Sequence, residues 1–262
     1  MNVVRREESI TLRPAVEEDA QAIYRLKHEA FGTNYLQFTI YRSGKAVTHI
    51  RRSIASGNEI FFVAEHCGEL AGYANVGFAN RQPVLNYIAV SCAVRSLGLG
   101  NLLLEEVESA VLGRGYGTLM LDVFESNLSV HEWYTRSGYS IVSRSFLYRI
   151  NLTSVMCKDR RLPVNSSFWQ SALDAEEDDG FSKVVIGTTE GELTLGLIGG
   201  SACKLLGYRG ILLEEAIAIT AATVNDTRSE LIVSSLEAPK PEYELLSLET
   251  ALRMVKKLPV NL

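Results

Sequence analysis

Arg95-Ser96-Leu97-Gly98-Leu99-Gly100 is the stretch whose residue types and spacing most directly imply chemistry. It follows an almost wholly apolar run, Val84 to Val94, that reads as a strand buried on both faces. After it Leu102, Leu103, Val107, Ala110 and Val111 trace one helical face, with Glu105, Glu106 and Glu108 opposite. Strand, glycine turn and helix start together make an anion site. The N–H groups of a first helical turn have no intrahelical partner, and the helix dipole favours negative charge there. Gly98 and Gly100 allow a phosphate close to the backbone, and the Arg95 guanidinium can join it. A dinucleotide fingerprint would need a third glycine where Leu103 stands, and no GxxxxGK string followed by Ser or Thr exists for a P-loop. A plain tight turn also uses glycines, so the loop alone does not name a ligand.

The elements that must position this loop follow from periodicity. A strand over Ile10 to Ala15 leads to a helix marked by Ala22, Ile23, Leu26, Ala30 and Phe31, with Glu17, Glu18 and Asp19 at its start. Thr33 to Tyr41 reads as a loop, followed by a second helix around Val47 to Ala55. Two strand-like runs, Glu59 to His66 and Glu69 to Phe78, flank Cys67-Gly68 and predict an antiparallel hairpin. Beyond the glycine loop and its helix come a strand from Thr118 to Asn127, a helix from Leu128 to Ser137 and a long strand from Tyr139 to Leu152. The fold class is therefore mixed α/β, with one parallel βαβ crossover at the glycine loop.

Ile88 to Gly100, the helix after it, the strand to Asn127 and the helix bearing Trp133-Tyr134 resemble the GCN5-related N-acetyltransferase family, over Ile10 to Leu152. The resemblance implies that family's fold, a mixed central sheet with flanking helices. It also implies a reaction: transfer of an acetyl group from acetyl-CoA to a primary amine of a small molecule or peptide, without a metal. By the same resemblance, backbone groups of Ile88, Ala89 and Val90 meet the pantetheine arm and acyl carbonyl. The amides of Arg95, Ser96, Leu97, Gly98, Leu99, Gly100 and Asn101 would hold the pyrophosphate. Asn127 touches pantetheine, and Tyr134 stands near the thioester sulfur as the catalytic residue. Cys92 stands where the family commonly has proline. No general base is assigned: Glu29, Glu65 and Asp122 read as surface or sheet-edge charges, and deprotonation through water serves equally well. Phe31, Asn34, Tyr35, Phe38 and Tyr41 suit the acceptor side, with Phe31 and Phe38 read as core cover. The missing base leaves a rival, a non-catalytic acyl-CoA-binding sensor or assembly module.

Composition bounds these readings. The chain is 47% hydrophobic and 22% charged, ordinary for a globular protein. Its net charge of -5 lies wholly beyond Leu152: residues 1–152 carry 15 basic and 15 acidic side chains, the rest 11 and 16. No basic stripe suggests nucleic acid. No apolar run is long enough for a membrane span, nor is there an apolar segment of signal-peptide type behind the basic N-terminal residues. Cys67, Cys92, Cys157 and Cys203 show no zinc-ligand spacing and read as reduced, mostly buried thiols of a cytoplasmic protein.

The expected domains are 1–152, a linker at 153–180 containing the acidic run Asp174 to Asp179, and a smaller α/β domain at 181–262. With a shift of 109, Leu97, Gly98, Leu103, Leu104, Glu105 and Glu106 meet identical residues of the second part, as in a truncated repeat of the first. On that alignment Arg209 replaces Gly100, a helix near Leu248 to Lys257 puts Met254 near the place of Tyr134, and the second part is not catalytic.

Overall fold

The computed structural model describes residues 10–79, 82–155, 166–224 and 228–259. Strand β1 (Ile10–Pro14) leads through a 3-10 turn, Glu17–Asp19, into α1 (Ala20–Ala30). A short α2 (Thr33–Leu36) and a second 3-10 turn, Ile40–Arg42, precede α3 (Ala46–Ser56). The strands β2 (Ile60–His66) and β3 (Glu69–Ala79) pair antiparallel as expected. Their turn holds Cys67 and Gly68 at φ of 53° and 83°, the left-handed pair that matches the strand twist. β4 (Gln82–Val90) stops earlier than the apolar run implied, because Cys92–Leu97 forms a 3-10 turn. Then come α4 (Leu99–Gly113), β5 (Thr118–Phe124), α5 (Leu128–Arg136) and β6 (Ser140–Asn151).

The second part contributes α6 (Ser166–Asp179), β7 (Phe181–Gly187), β8 (Glu192–Ile198), β9 (Ala202–Arg209), α7 (Leu213–Val224), β10 (Glu230–Ser235) and β11 (Leu245–Lys257). Residues 156–165 of the expected linker, Cys157 with them, lie outside the described residues. The acidic run, expected as solvated linker, is instead the end of helix α6, and Glu176 is buried in an ion pair with Arg228. Of the described cysteines only Cys203 is buried, since Cys67 and Cys92 are exposed; the expectation of mostly buried thiols fails.

All strands join one sheet in the order β1-β2-β3-β4-β5-β11-β6-β10-β9-β8-β7. The segment expected as a last helix is β11, slotted antiparallel between β5 and β6. Met254 is therefore a core residue of that strand, opposite Leu121, and has no counterpart role to Tyr134.

A like pairing pattern recurs in the second part, at a shift different from that of the sequence match. β3 pairs antiparallel with β4, which runs parallel to β5 through α4; likewise β8 pairs with β9, which runs parallel to β10 through α7. Each antiparallel pair has one irregular rung, leaving Asn86 of β4 and Leu206 of β9 as the extra residues. These bulges align at a shift of 206 − 86 = 120, which sets Arg209 against Ala89 and not Gly100. The LLEE match is a coincidence of two amphipathic helices: Glu214 and Glu215 begin α7, whereas Glu105 and Glu106 lie inside α4. Residues 210–212 are too few for the 3-10 turn and glycine approach that residues 91–98 supply in the first unit.

Separate apolar clusters fill the two faces. Leu99, Leu103, Val107 and Val111 of α4 pack with Leu119, Leu121 and Tyr134 on one side. Ile23 and Leu26 of α1, Ile50 of α3 and Val63 of β2 pack on the other. Phe38 meets Ile198, Ala202 and Ile232, so the segment after α2 is fastened to the second part.

Candidate active site

β4 and β5 share only two rungs, Val84 with Met120 and Leu85 with Leu121. Directly after them comes the bulge at Asn86, and the strands diverge. A bulge bends its strand and releases it from the ladder, and here that opens a cleft of about 620 Å3. The cleft is walled by residues 85–90, residues 122–124, the start of α4 and the face of α5 bearing Trp133 and Tyr134.

Backbone alternation settles which groups of β4 face it. The Ser91 N–H donates to Ala71 O of β3 at 2.8 Å. N–H directions alternate along a strand, so Ala89 also turns its backbone toward β3, while Ile88 and Val90 present theirs to the cleft. Arg95 Nε lies 3.5 Å from Val90 O, on that same side.

Gly98 has φ +78°, a conformation that lets the chain leave the 3-10 turn and enter α4 at once. Its carbonyl accepts from the Asn101 and Leu102 amides at 3.0 and 3.2 Å. The Asn101 amide is thus spent inside the helix, and the first-turn amides of Leu99 and Gly100 are the ones without intrahelical partners. A Cβ on Gly100 would lie 3.6 Å from Trp133 and 4.0 Å from Val90, filling the throat of the cleft. Asn101 contributes its side chain instead: Oδ1 accepts from Trp133 Nε1 at 2.7 Å, tying α5 to the start of α4.

The site residues expected from sequence are brought together in large part. Ile88, Ala89, Val90, Arg95, Gly98, Gly100, Asn101, Asn127 and Tyr134 all line the cleft. Leu97 and Leu99 turn their side chains into the core, leaving only backbone for a ligand. Ser96 lies in the same 3-10 turn, and its side chain is outside the described residues. Tyr134 is 5% exposed, and burial pushes its phenol above the ordinary value, with Tyr35 adding to the shift.

Other residues of the cleft carry no sequence motif or depart from the expectation. Phe31, read as core cover, lines the cleft and packs against Tyr35 at 5.0 Å between centroids; Phe38 is indeed buried at 1%. Tyr87 forms another wall, backed by Lys27, whose Nζ sits 2.8 Å from that ring's centroid and 3.1 Å from Tyr41's. Burial drives the Lys27 amine well below its usual range, a cost offset in part by Glu59. Lys27 sits on a regular helical stripe, after Ile23 and Leu26, and that position was the available signal. Glu29 closes the β4 turn by accepting from the Cys92 amide at 2.9 Å and Ser91 Oγ at 3.1 Å, and Glu65 is bound to Arg13. Asp122 does reach the cleft, held by Arg253 through bonds of 2.5 and 2.6 Å. Among the described residues no cluster of three or more His, Cys, Asp and Glu is arranged to hold a metal, and no helix is long and apolar enough to cross a membrane.

Comparison with known proteins agrees with this fold. The whole chain is similar in fold to a GCN5-related N-acetyltransferase from Sphaerobacter thermophilus, with TM-score 0.64, 17% identity and 95% of each chain covered. A GCN5-related N-acetyltransferase from Kribbella flavida is similar over 97% of this chain and 72% of its own, with TM-score 0.55 and 14% identity. Both likenesses therefore take in the second part as well as the first. Residues 20–139, which contain the diverging strands, the glycine turn and α5, match the model of the acetyltransferase (GNAT) family.

Proposed function

We propose that the protein transfers an acetyl group from acetyl-CoA to a primary amine of a small molecule or peptide. The observation that carries this reading is the convergence in one cleft of open β4 backbone, at Ile88 and Val90, with the first-turn amide of Gly100, which has no partner within α4. The first set suits an amide-bearing arm and the second a pyrophosphate, with Arg95 beside it. The cradle fits the group, since the space a Cβ at Gly100 would fill is left open.

The donor supplies an activated acetyl thioester. An amine arriving as ammonium gives one proton to water, and its lone pair forms the C–N bond. The C–S bond breaks with its electron pair passing to sulfur, and the second nitrogen proton leaves to solvent. The Val90 N–H, aimed into the cleft, donates to the carbonyl oxygen as negative charge develops there. Tyr134, kept protonated by its burial, gives its proton to the departing sulfur and recovers one from water. Asn127 borders the arm, and Trp133 fixes α5 through Asn101.

Calorimetry tests the reading. The parent protein binds acetyl-CoA, and Gly100→Glu, which puts a carboxylate into the throat beside Trp133, abolishes binding without lowering the melting temperature. Absence of binding by the parent overturns the assignment. Release of free thiol with an amine distinguishes the enzyme from an acyl-CoA-binding sensor, which binds and releases none.

A further inference from the structure

A second cavity, of about 200 Å3, adjoins the cleft and is lined from both parts of the chain. Tyr35, Asn86, Tyr87 and Asp122 belong to the walls of both spaces, whereas Lys204 of β9 and Ser234 of β10 border the second alone. Asp122 and Lys204 are its charged residues among the described lining. Asp122 stands at the wall shared with the cleft, whereas Lys204 borders the second cavity alone.

Lys204 is in an unusual position. It lies within β9 opposite Ile232 of β10 and two residues after the buried Ala202, both of which pack in one cluster with Phe38 and Ile198. Among the described residues it closes no ion pair; burial lowers its pKa, and the Asp122 carboxylate offsets part of that shift. A buried ammonium that closes no ion pair is costly, and a bound anion adds to the partial offset that Asp122 gives. Asp122 already accepts from Arg253 through both oxygens, which holds it rigid, and a carboxylate retains further lone-pair sites for an ammonium. A space of this size is below the ~300–1,000 Å3 of pockets that hold drug-sized ligands, so the occupant is small.

We propose that this cavity is the acceptor site and selects a small amino acid-like molecule, its amine at Asp122 facing the cleft and its carboxylate at Lys204. This rests on the acetyl-transfer reading and narrows its acceptor class. The carboxylate is a handle and is unchanged by the reaction; only the nitrogen is acylated. The second part of the chain thereby supplies acceptor selection through Lys204 and Ser234, although it has no glycine loop of its own.

The test is thiol release from acetyl-CoA with a panel of amino acids, α and β, each beside its own carboxamide. At least one amino acid is turned over with kcat/KM roughly tenfold or more above its carboxamide, since a site built around a charged contact rejects the analogue lacking it. Lys204→Met brings the amino acid down to the level of the carboxamide, Lys204→Arg restores part of the preference, and acetyl-CoA affinity is unchanged in both. Ser234→Asp, which sets a competing carboxylate beside the lysine without removing it, gives the same loss of preference and guards against misfolding of the Met variant. Equal use of carboxamides, a preference that survives Lys204→Met and Ser234→Asp, or no use of any amino acid by a protein that binds acetyl-CoA would each overturn the acceptor class alone. A parent protein that fails to bind acetyl-CoA overturns the acetyl-transfer reading together with it.

Discussion

Tyr134 joins a ring that is 5% exposed to a place on the wall of the cleft, and the two facts have one chemical consequence. Desolvation disfavours the phenolate, so the hydroxyl holds its proton above the ordinary phenol value of about 10. The sign is that of a proton donor: the competent form persists through neutral and mildly alkaline pH and is lost only as pH rises past the elevated pKa. Tyr134→Phe keeps the packing against Trp133 and Tyr139 and removes only the donor. It lowers kcat by roughly 10²-fold, the lower bound for general acid catalysis, with acetyl-CoA affinity in calorimetry unchanged. The parent's kcat shows no falling limb below about pH 10 from this group. Unchanged turnover in the variant removes the tyrosine from the chemistry and leaves it a packing residue of α5.

The elements that sequence patterns reveal are those whose period matches their burial, and α4 and β4 are such cases. Glycine turn, apolar stripe and buried strand each leave a local trace, which is why nearly all the cleft-lining residues around them were legible. α6 and β11 were not, for separate reasons. In α6 the acidic run conceals a stripe: Ala172, Leu173 and Glu176 face inward while Asp174, Glu177 and Asp178 face solvent. A buried carboxylate reads as a surface one until Arg228, far along the chain, is seen to pair with it. Gly200 N–H also donates to Glu176 Oε1 at 2.9 Å, so this one side chain fastens α6 to two loops. Glu176→Ala leaves Arg228 buried without a counter-charge and is expected to cost about 3–5 kcal/mol in urea unfolding. Adding Arg228→Met recovers part of that loss; a single-variant cost under about 1 kcal/mol would mean that the pair is dispensable. β11 was misread because Leu, Glu, Ala, Arg, Met and Lys dominate it, all good helix formers. Its strand state is imposed by the slot between β5 and β6, which no local pattern records. Lys204 is hidden likewise, since no local pattern marks a strand lysine as the lining of a cavity.

At the scale of the whole molecule, the two units are interlocked through that slot. β11 lies beside β5 of the first unit and β6 lies beside β10 of the second, with β11 and β6 paired to each other at the centre. The first unit therefore takes part of its core from the far end of the chain: Leu252 and Met254 of β11 and Leu258 after it are buried at 3%, 0% and 4% among the side chains of α4 and β5. Each such side chain contributes about 1.5–3 kcal/mol by burial, so their loss approaches the ~5–15 kcal/mol that stabilises a typical domain. It also bares the edge of β5, whose unpaired backbone invites association with other chains. A fragment of residues 1–152, which sequence boundaries alone would suggest as self-sufficient, is thus expected to lack cooperative urea unfolding, to aggregate, and to bind no acetyl-CoA in calorimetry. Removing only residues 245–262 from the full chain has the same effect, because β5 and β6 lose the same neighbour. Supplying residues 245–262 as a separate peptide restores binding to the truncated chain in proportion to occupancy of the slot. If residues 1–152 alone unfold cooperatively and bind acetyl-CoA as the full chain does, the interlocking is incidental to stability, and the second part acts on the acceptor alone.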